Sequence, residues 1–244
     1  MMLRALLLTL IAGNALAADI AASLDWSGRV SLTLPVAGVL EQVNVQAGQT
    51  VKKDDLLAAL NPILFKAGVA ETRADLDRLT QEEADATRDL DRVTELYART
   101  VSSTTELDAA KLRHARARAG LAAAQARMEK ARRLLAESEL RAPFDAVILA
   151  RHGEPGLVIT IPCQPAAVVS IARADEWLAR ASIEAAQAAK LRLGEEASVQ
   201  VSGQTSKGHI RAITTQTEGR VLLDVALPRA PGTWAGQAAT ISLP

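Results

Sequence analysis

Residues able to do covalent or metal chemistry are few in this sequence of 244 amino acids. Its three histidines, His114, His152 and His209, stand far apart, and Cys163 is the single cysteine. None of them falls at a metal-ligand spacing. A lone cysteine closes no internal disulfide and reads as a small buried hydrophobe. There is no G-x-S-x-G elbow, no H-E-x-x-H helix and no P-loop. We therefore expect no enzyme, no cofactor and no metal site. Lys plus Arg number 28 and so do Asp plus Glu, which offers no excess positive charge to hold a nucleic-acid backbone. The chemistry left is recognition by side chains that hydrogen-bond or present apolar surface.

Such side chains need elements to carry them, and the longest lie in the middle of the chain. From Ile63 to Arg99 there is no Pro and only Gly68. A seam runs Val69, Leu76, Leu79, Glu83, Ala86, Leu90, Val93, Tyr97. After Leu76 its steps alternate three and four. A second seam runs Leu107, Ala110, His114, Ala117, Leu121, Ala124, Met128, Ala131, Leu135 without a break. This is the two-helix coiled-coil pattern. His114 within it reads as a packed, hydrogen-bonded histidine. The arms meet at residues 100–104, where Ser103 or Thr104 is the candidate N-cap and Glu106 lies in the first turn. Each arm spans about 50 Å at 1.5 Å per residue. Such a hairpin adds length more than stability, which points to a spacer. Homodimerisation through the same seam is the plainer alternative.

Flanking the hairpin are two similar stretches. Gly38, Val39 and Gly48 align without a gap on Ala146, Val147 and Gly156. Each copy reads strand, turn, strand, and each reaches an apolar strand, at 56–60 and 166–171. Packed face to face, the copies make a small sandwich. Beyond them, short apolar segments at 178–183, 197–201, 209–214, 221–227 and 238–243 suggest an all-β barrel, with 24–34 as one further strand. Aromatics make up only 2% against 49% hydrophobic, as small β modules and Ala-rich helices require. Met1 to Ala17 reads as a cleavable secretory signal, with Arg4, an apolar run far shorter than the roughly 20 residues of a spanning helix, and Ala15-Leu16-Ala17.

These residues resemble the membrane fusion proteins, or periplasmic adaptors, of the HlyD and RND efflux families, over nearly all of the mature chain. The family's first half opens V-x-G-x-V and continues V-x-x-G-x-x-V-K. Here Val36-Ala37-Gly38-Val39-Leu40 leads to Val45-Gln46-Ala47-Gly48-Gln49-Thr50-Val51-Lys52. Its second half opens R-A-P-F-D-G, matched by Arg141-Ala142-Pro143-Phe144-Asp145 with Ala146 in place of Gly. Leu191, Gly194, Ala197 and Val199 fit L-x-x-G-x-x-A-x-V. Adaptors that dock on TolC-type channels carry Arg, Leu four residues on, and Ser seven further. That pattern falls on Arg92, Leu96 and Ser103, with Glu106 and Asp108 also similar. Well-known RND adaptors continue into a membrane-proximal domain, whereas this sequence ends at Pro244, after the phrase 231–237.

The expectation is thus a mixed α and β, elongated chain. Residues 1–17 are a signal peptide, 18–34 with 172–244 a β-barrel, and 35–61 with 140–171 a lipoyl-like sandwich split in two halves. Residues 62–139 are a long antiparallel α-helical coiled-coil hairpin inserted between the halves. The resemblance implies a periplasmic adaptor tied to the inner membrane through its transporter, of RND or ABC type. It implies a TolC-type outer-membrane channel as second partner, and a self-oligomer, hexamer or trimer of dimers, with no nucleic acid. Arg92, Leu96 and Ser103 are then the partner-binding residues. The alternatives are a coiled-coil assembly protein and a metal-handling binding protein. A lipoyl-type carrier fits poorly, because the hairpin occupies the turn where such domains present their modified Lys, and Lys52 and Lys53 fall inside the first half.

Overall fold

The computed structural model describes residues 19–160, 167–216 and 219–243. The expected signal peptide with its cleavage point after Ala17, and Cys163, lie outside these residues. In chain order the first elements are β1 (Asp19–Trp26), β2 (Val30–Leu32), β3 (Gly38–Val43), β4 (Thr50–Val51) and β5 (Leu56–Leu60). Helices α1 (Ile63–Ala98) and α2 (Thr104–Glu137) follow. Then come β6 (Glu139–Arg141), β7 (Ala146–Arg151), β8 (Val158–Ile159), β9 (Val169–Arg173) and β10 (Glu176–Glu184). A short α3 (Ala185–Ala188) precedes β11 (Glu196–Val201), β12 (Gln204–Thr215), β13 (Arg220–Pro228) and β14 (Ala238–Ser242). The chain divides into two compact units. One runs from Val30 to Ile171; the other joins the residues up to Arg29 to those from Ala172 onward.

The unit from Val30 to Ile171 holds a β-sandwich and both long helices. Its sheets are ordered β2-β9-β7-β4 and β6-β5-β3-β8. The two aligned copies do not each keep to a sheet, as face-to-face packing would have them. They interleave. The first copy lends β4 to the sheet of the second, pairing Thr50 with Val147, and the second lends β8 to the sheet of the first, pairing Val39 with Val158. The exchange is reciprocal at the level of single hydrogen bonds. The N–H of Gly48 donates to the Ile148 carbonyl at 2.8 Å, and that of Gly156 to the Leu40 carbonyl at 2.8 Å. Both glycines sit in the left-handed region, at φ 87° and 93°, where a Cβ is penalised. Leu40, Leu57, Leu60, Ile148, Val168 and Ile171 fill the space between the sheets. Each such buried side chain contributes about 1.5–3 kcal/mol relative to exposure.

The other unit is a closed six-stranded barrel, β1-β10-β13-β12-β11-β14. Closure leaves no free strand edge. Its strands alternate with the period of the pleat. Trp177, Ala179, Ala181 and Ile183 of β10 point inward with Val199, Leu223, Val225 and Ile241. Trp177 packs on Trp26 with ring centroids 4.4 Å apart, and its Nε1–H donates to Thr233 at 2.7 Å. Arg229 lies over both rings, 5.3 and 5.0 Å from the centroids. The single strand expected over Leu24 to Leu34 is divided. β1 closes the barrel, the chain turns at Ser27–Arg29, and β2 pairs with β9 in the sandwich. Buried Ser27 marks the break, its carbonyl accepting the Arg173 N–H at 2.9 Å and its hydroxyl donating to Glu176.

Because no neighbouring atom would crowd a methyl group at Gly48 or Gly156, Gly→Ala there tests backbone strain alone. Each substitution is expected to lower unfolding stability by about 1–2 kcal/mol. The two losses should be nearly equal, read as urea midpoints of the full chain.

Candidate functional site

Polar groups in the barrel unit are largely paired. A hollow of about 490 Å³ is lined by Asp175, Glu176, Glu196, Lys207 and His209. There Glu176 is held by Arg211 at 3.2 Å, and Glu196 meets Lys207 at 3.7 Å. Among the described residues no three His, Cys, Asp or Glu converge as metal ligands, and no helix is long and apolar enough to cross a membrane. Exposed large apolar side chains occur at several places, among them Leu64, Leu193 and Trp234, and one group, Leu96, Tyr97 and Val101, lies at the turn between the long helices.

The helices pack antiparallel along the seams read from their spacing. Every expected seam residue of α2 is at least half-buried, and Ala110, Ala117, Ala124 and Met128 are fully buried. On α1 the gap between Val69 and Leu76 is filled by Thr72. Its hydroxyl donates back to the Gly68 carbonyl at 2.9 Å and touches the Met128 sulfur at 3.4 Å. Satisfying its hydroxyl within its own helix lets a polar residue sit in an apolar seam. Across the helices Asp75 meets Arg127 at 2.6 Å and Asp89 meets Arg113 at 2.7 Å. His114 lies in the seam 3.6 Å from Glu83.

Both sides of the turn are fastened. At the end of α1 the Thr100 N–H donates to the Tyr97 carbonyl at 2.9 Å, and the Val101 N–H to the Leu96 carbonyl at 3.0 Å. This is the Schellman pattern, with Thr100 in the place usually held by Gly. Thr100 takes φ 59°, a conformation that costs a β-branched residue about 1–2 kcal/mol. Ser103 is the N-cap of α2. Its hydroxyl accepts the Glu106 N–H at 3.2 Å, and Glu106 accepts the Ser103 N–H at 2.8 Å, a complete capping box. The Ser102 hydroxyl adds a third bond to Glu106, at 2.7 Å. These hydroxyl and backbone donors, Ser102 foremost, hold the Glu106 carboxyl below the usual carboxylate range.

Arg92 and Leu96 lie one turn apart on α1, and Ser103 lies across the turn. The Arg92 guanidinium reaches back to Asp89, which it shares with Arg113. Those two arginines, Arg113 first, hold the Asp89 carboxyl low. Leu96 is 37% exposed, and Tyr97 and Val101 beside it are 40% and 72% exposed. Sequence reasoning placed Tyr97 in the seam and passed over Val101. An apolar residue two places past a helix end is the usual companion of a Schellman turn, and that signal could have found it.

A family model described as the CzcB-like, barrel-sandwich hybrid domain matches residues 29–172. No curated protein matches the chain in sequence. Among solved structures, the membrane fusion protein Spr0693 from Streptococcus pneumoniae R6 superposes with a TM-score of 0.70 at 12% identity, covering 93% of this chain and 98% of that one. A MacA-MexA chimera containing the Pseudomonas aeruginosa MexA α-hairpin domain gives 0.71 at 17%, covering 93% and 81%. ZneB from Cupriavidus metallidurans gives 0.52 at 18%, covering 92% and 96%. At these identities the likeness is one of fold.

Removing the cap by Ser103→Ala is expected to cost about 1 kcal/mol. Thr100→Gly is expected to add about 1 kcal/mol by relieving the left-handed strain. Both are read from helix unfolding by circular dichroism. Glu106 has a depressed folded pKa, so its contribution is present above the unfolded carboxylate value and is lost as pH falls through the folded one. Acidification below the usual carboxylate range should therefore raise amide exchange at the start of α2, and Glu106→Gln should flatten that response.

Proposed function

The chain belongs to the family of the CzcB-like barrel-sandwich hybrid domain, and from that premise we propose that it is a periplasmic adaptor of a tripartite export system. It links an inner-membrane transporter, of RND or ABC type, to a TolC-type outer-membrane channel. It is secreted by its cleavable leader, held at the inner membrane through the transporter, and assembled with copies of itself as a hexamer or trimer of dimers. No bond is made or broken in it. The observation that carries this reading is the insertion itself. A sandwich built for closure is opened between its halves to hold two helices of about 50 Å, paired as a coiled coil and capped at the turn. Length ending in a shaped, exposed tip suits reaching and docking.

At that tip Ser103 is the small polar contact, Leu96 the apolar one, and Arg92 the hydrogen-bond donor. Tyr97 and Val101 extend the apolar surface. Docking would draw Arg92 from Asp89, an exchange that costs little because exposed ion pairs contribute about 0–1 kcal/mol and Asp89 keeps Arg113.

The test is cross-linking in intact cells from Ser103→Cys, with Cys163→Ala. Val101→Cys serves as a second position that leaves the cap intact. Mass spectrometry is expected to identify an outer-membrane channel at both positions. Capture of only a second copy, or of nothing, at both positions would sink the docking role.

A further inference from the structure

One end of the barrel is where β1 opens, β14 finishes and β11 begins. Asp19 pairs there with Ser242, Ser242 with Ser198, and Glu184 at the close of β10 with Arg220. The segment between β10 and β11 covers this end. Its Ala188 and Leu191 pack inward against the barrel core. Its Ala185, Ala186, Ala189, Lys190, Arg192 and Leu193 face solvent, and Leu193 is 67% exposed. The turn that carries Leu193 is fastened on both sides. The Leu191 N–H donates to the Ala188 carbonyl at 3.0 Å, and the Gly194 N–H to the Ile210 carbonyl at 2.8 Å. An apolar side chain is thus held out from a fixed turn that does not need it for closure.

The charges of the segment are sorted as well. From Ala185 to Gly194 the sequence holds two cations and no acid. Acids bracket it, and both turn to its backbone. Glu184 accepts the Gln187 N–H in a capping box, and Glu195 accepts the Arg192 N–H at 3.0 Å. Glu196 is engaged on the barrel wall by Lys207 at 3.7 Å, and Asp19 accepts the Ser242 hydroxyl at 2.6 Å. Between β12 and β13 the sequence adds Glu218 and Arg220, which offset one another. Lys190 and Arg192 have no ion pair among the described residues. An exposed leucine beside unpaired cations, with the nearby acids turned away, suits the headgroup region of an anionic bilayer. The leucine enters the acyl boundary and the cations meet phosphates.

We propose that this barrel end rests on an anionic phospholipid bilayer, with Leu193 entering it and Lys190 and Arg192 meeting lipid phosphates. The inference rests on the secretory part of the adaptor reading. A leader that ends just ahead of Asp19 brings this end of the barrel to the membrane, because β1 opens here. Lipid then joins the transporter in holding the chain at the inner membrane. One copy offers a single leucine and two cations, a weak and reversible hold. Copies assembled on one bilayer multiply it.

Flotation of the full secreted chain with vesicles tests this. Vesicles of phosphatidylethanolamine and phosphatidylglycerol should bind it more tightly than vesicles of phosphatidylcholine alone. Binding should weaken as salt rises toward about 0.5 M, where the screening length shrinks to a few ångströms. Lys190→Gln with Arg192→Gln should weaken it about twentyfold, and Leu193→Ser about tenfold. Circular dichroism should find the fold intact in both, since all three side chains are exposed. With Cys163→Ala, an environment-sensitive fluorophore on Leu193→Cys should brighten on the vesicles. One on Gln204→Cys, at the opposite end of the barrel, should not. Absence of binding, binding that both variants leave unchanged, or brightening at Gln204→Cys instead would overturn the proposal. So would a cross-link from Leu193→Cys to an inner-membrane protein in intact cells when vesicles are not bound, which makes a protein the occupant. The vesicles hold neither channel nor transporter. Failure here therefore leaves capture of a channel at the hairpin turn as it stands, and failure there leaves vesicle binding as it stands.

Discussion

The rest of the Val30–Ile171 unit depends on the exchange between its two halves. Gly48 gives its N–H to the second copy at Ile148, and Gly156 gives its N–H to the first at Leu40. Neither half can complete its sheet alone, so the sandwich closes only when both are present, however much chain intervenes. That condition makes a long insertion tolerable, since loop closure costs grow only slowly with length. The insertion is fixed at its base by β5 and β6. These pair antiparallel at Ala58 with Leu140 and Ala59 with Glu139, and the Leu60 N–H donates to the Ser138 carbonyl at 2.9 Å. Strands about 4.8 Å apart hand the chain to two helices that must then start side by side and antiparallel.

Small seam residues follow from that start. Ala110, Ala117 and Ala124 let the helices approach closely, and the register they set decides which charges face one another. Asp75 and Asp89 find arginines across the pair, with Arg78 and Arg127 holding the Asp75 carboxyl low, while Glu82 turns to Arg78 of its own helix. The overall balance of 28 acids and 28 bases conceals this sorting, because acids gather on α1 and bases on α2.

Much of this was legible in the sequence. The α2 seam could be read residue by residue, because its buried positions alternate by three and four without a break. The α1 seam broke at Thr72, where polarity masked a residue whose hydroxyl is satisfied inside its own helix. Aligning Gly48 with Gly156 revealed two copies but not their interleaving, since a strand's period says which face is buried and not which strand lies beside it. The divided strand at Ser27–Arg29 was missed because apolar residues continue on both sides of the turn. At the tip, Ser103 and Glu106 announce their capping box at the required spacing. Thr100 does not announce its left-handed backbone, because the signal for that conformation is Gly. The engagement of Arg92 with Asp89 could have been read from an i, i+3 spacing.

The clamp of β5 on β6 has a consequence for how such a chain can change through descent. Both ends of the hairpin leave the sandwich at one place, so its length is uncoupled from the sheets that hold it. Adding seven residues to each arm restores the seam register and moves the turn outward by about 10 Å, with no strand disturbed. Adding them to one arm alone shifts every charge pair by a heptad. Paired insertions are thus the heritable steps open to this architecture, and reach is the trait they would alter in increments of two turns.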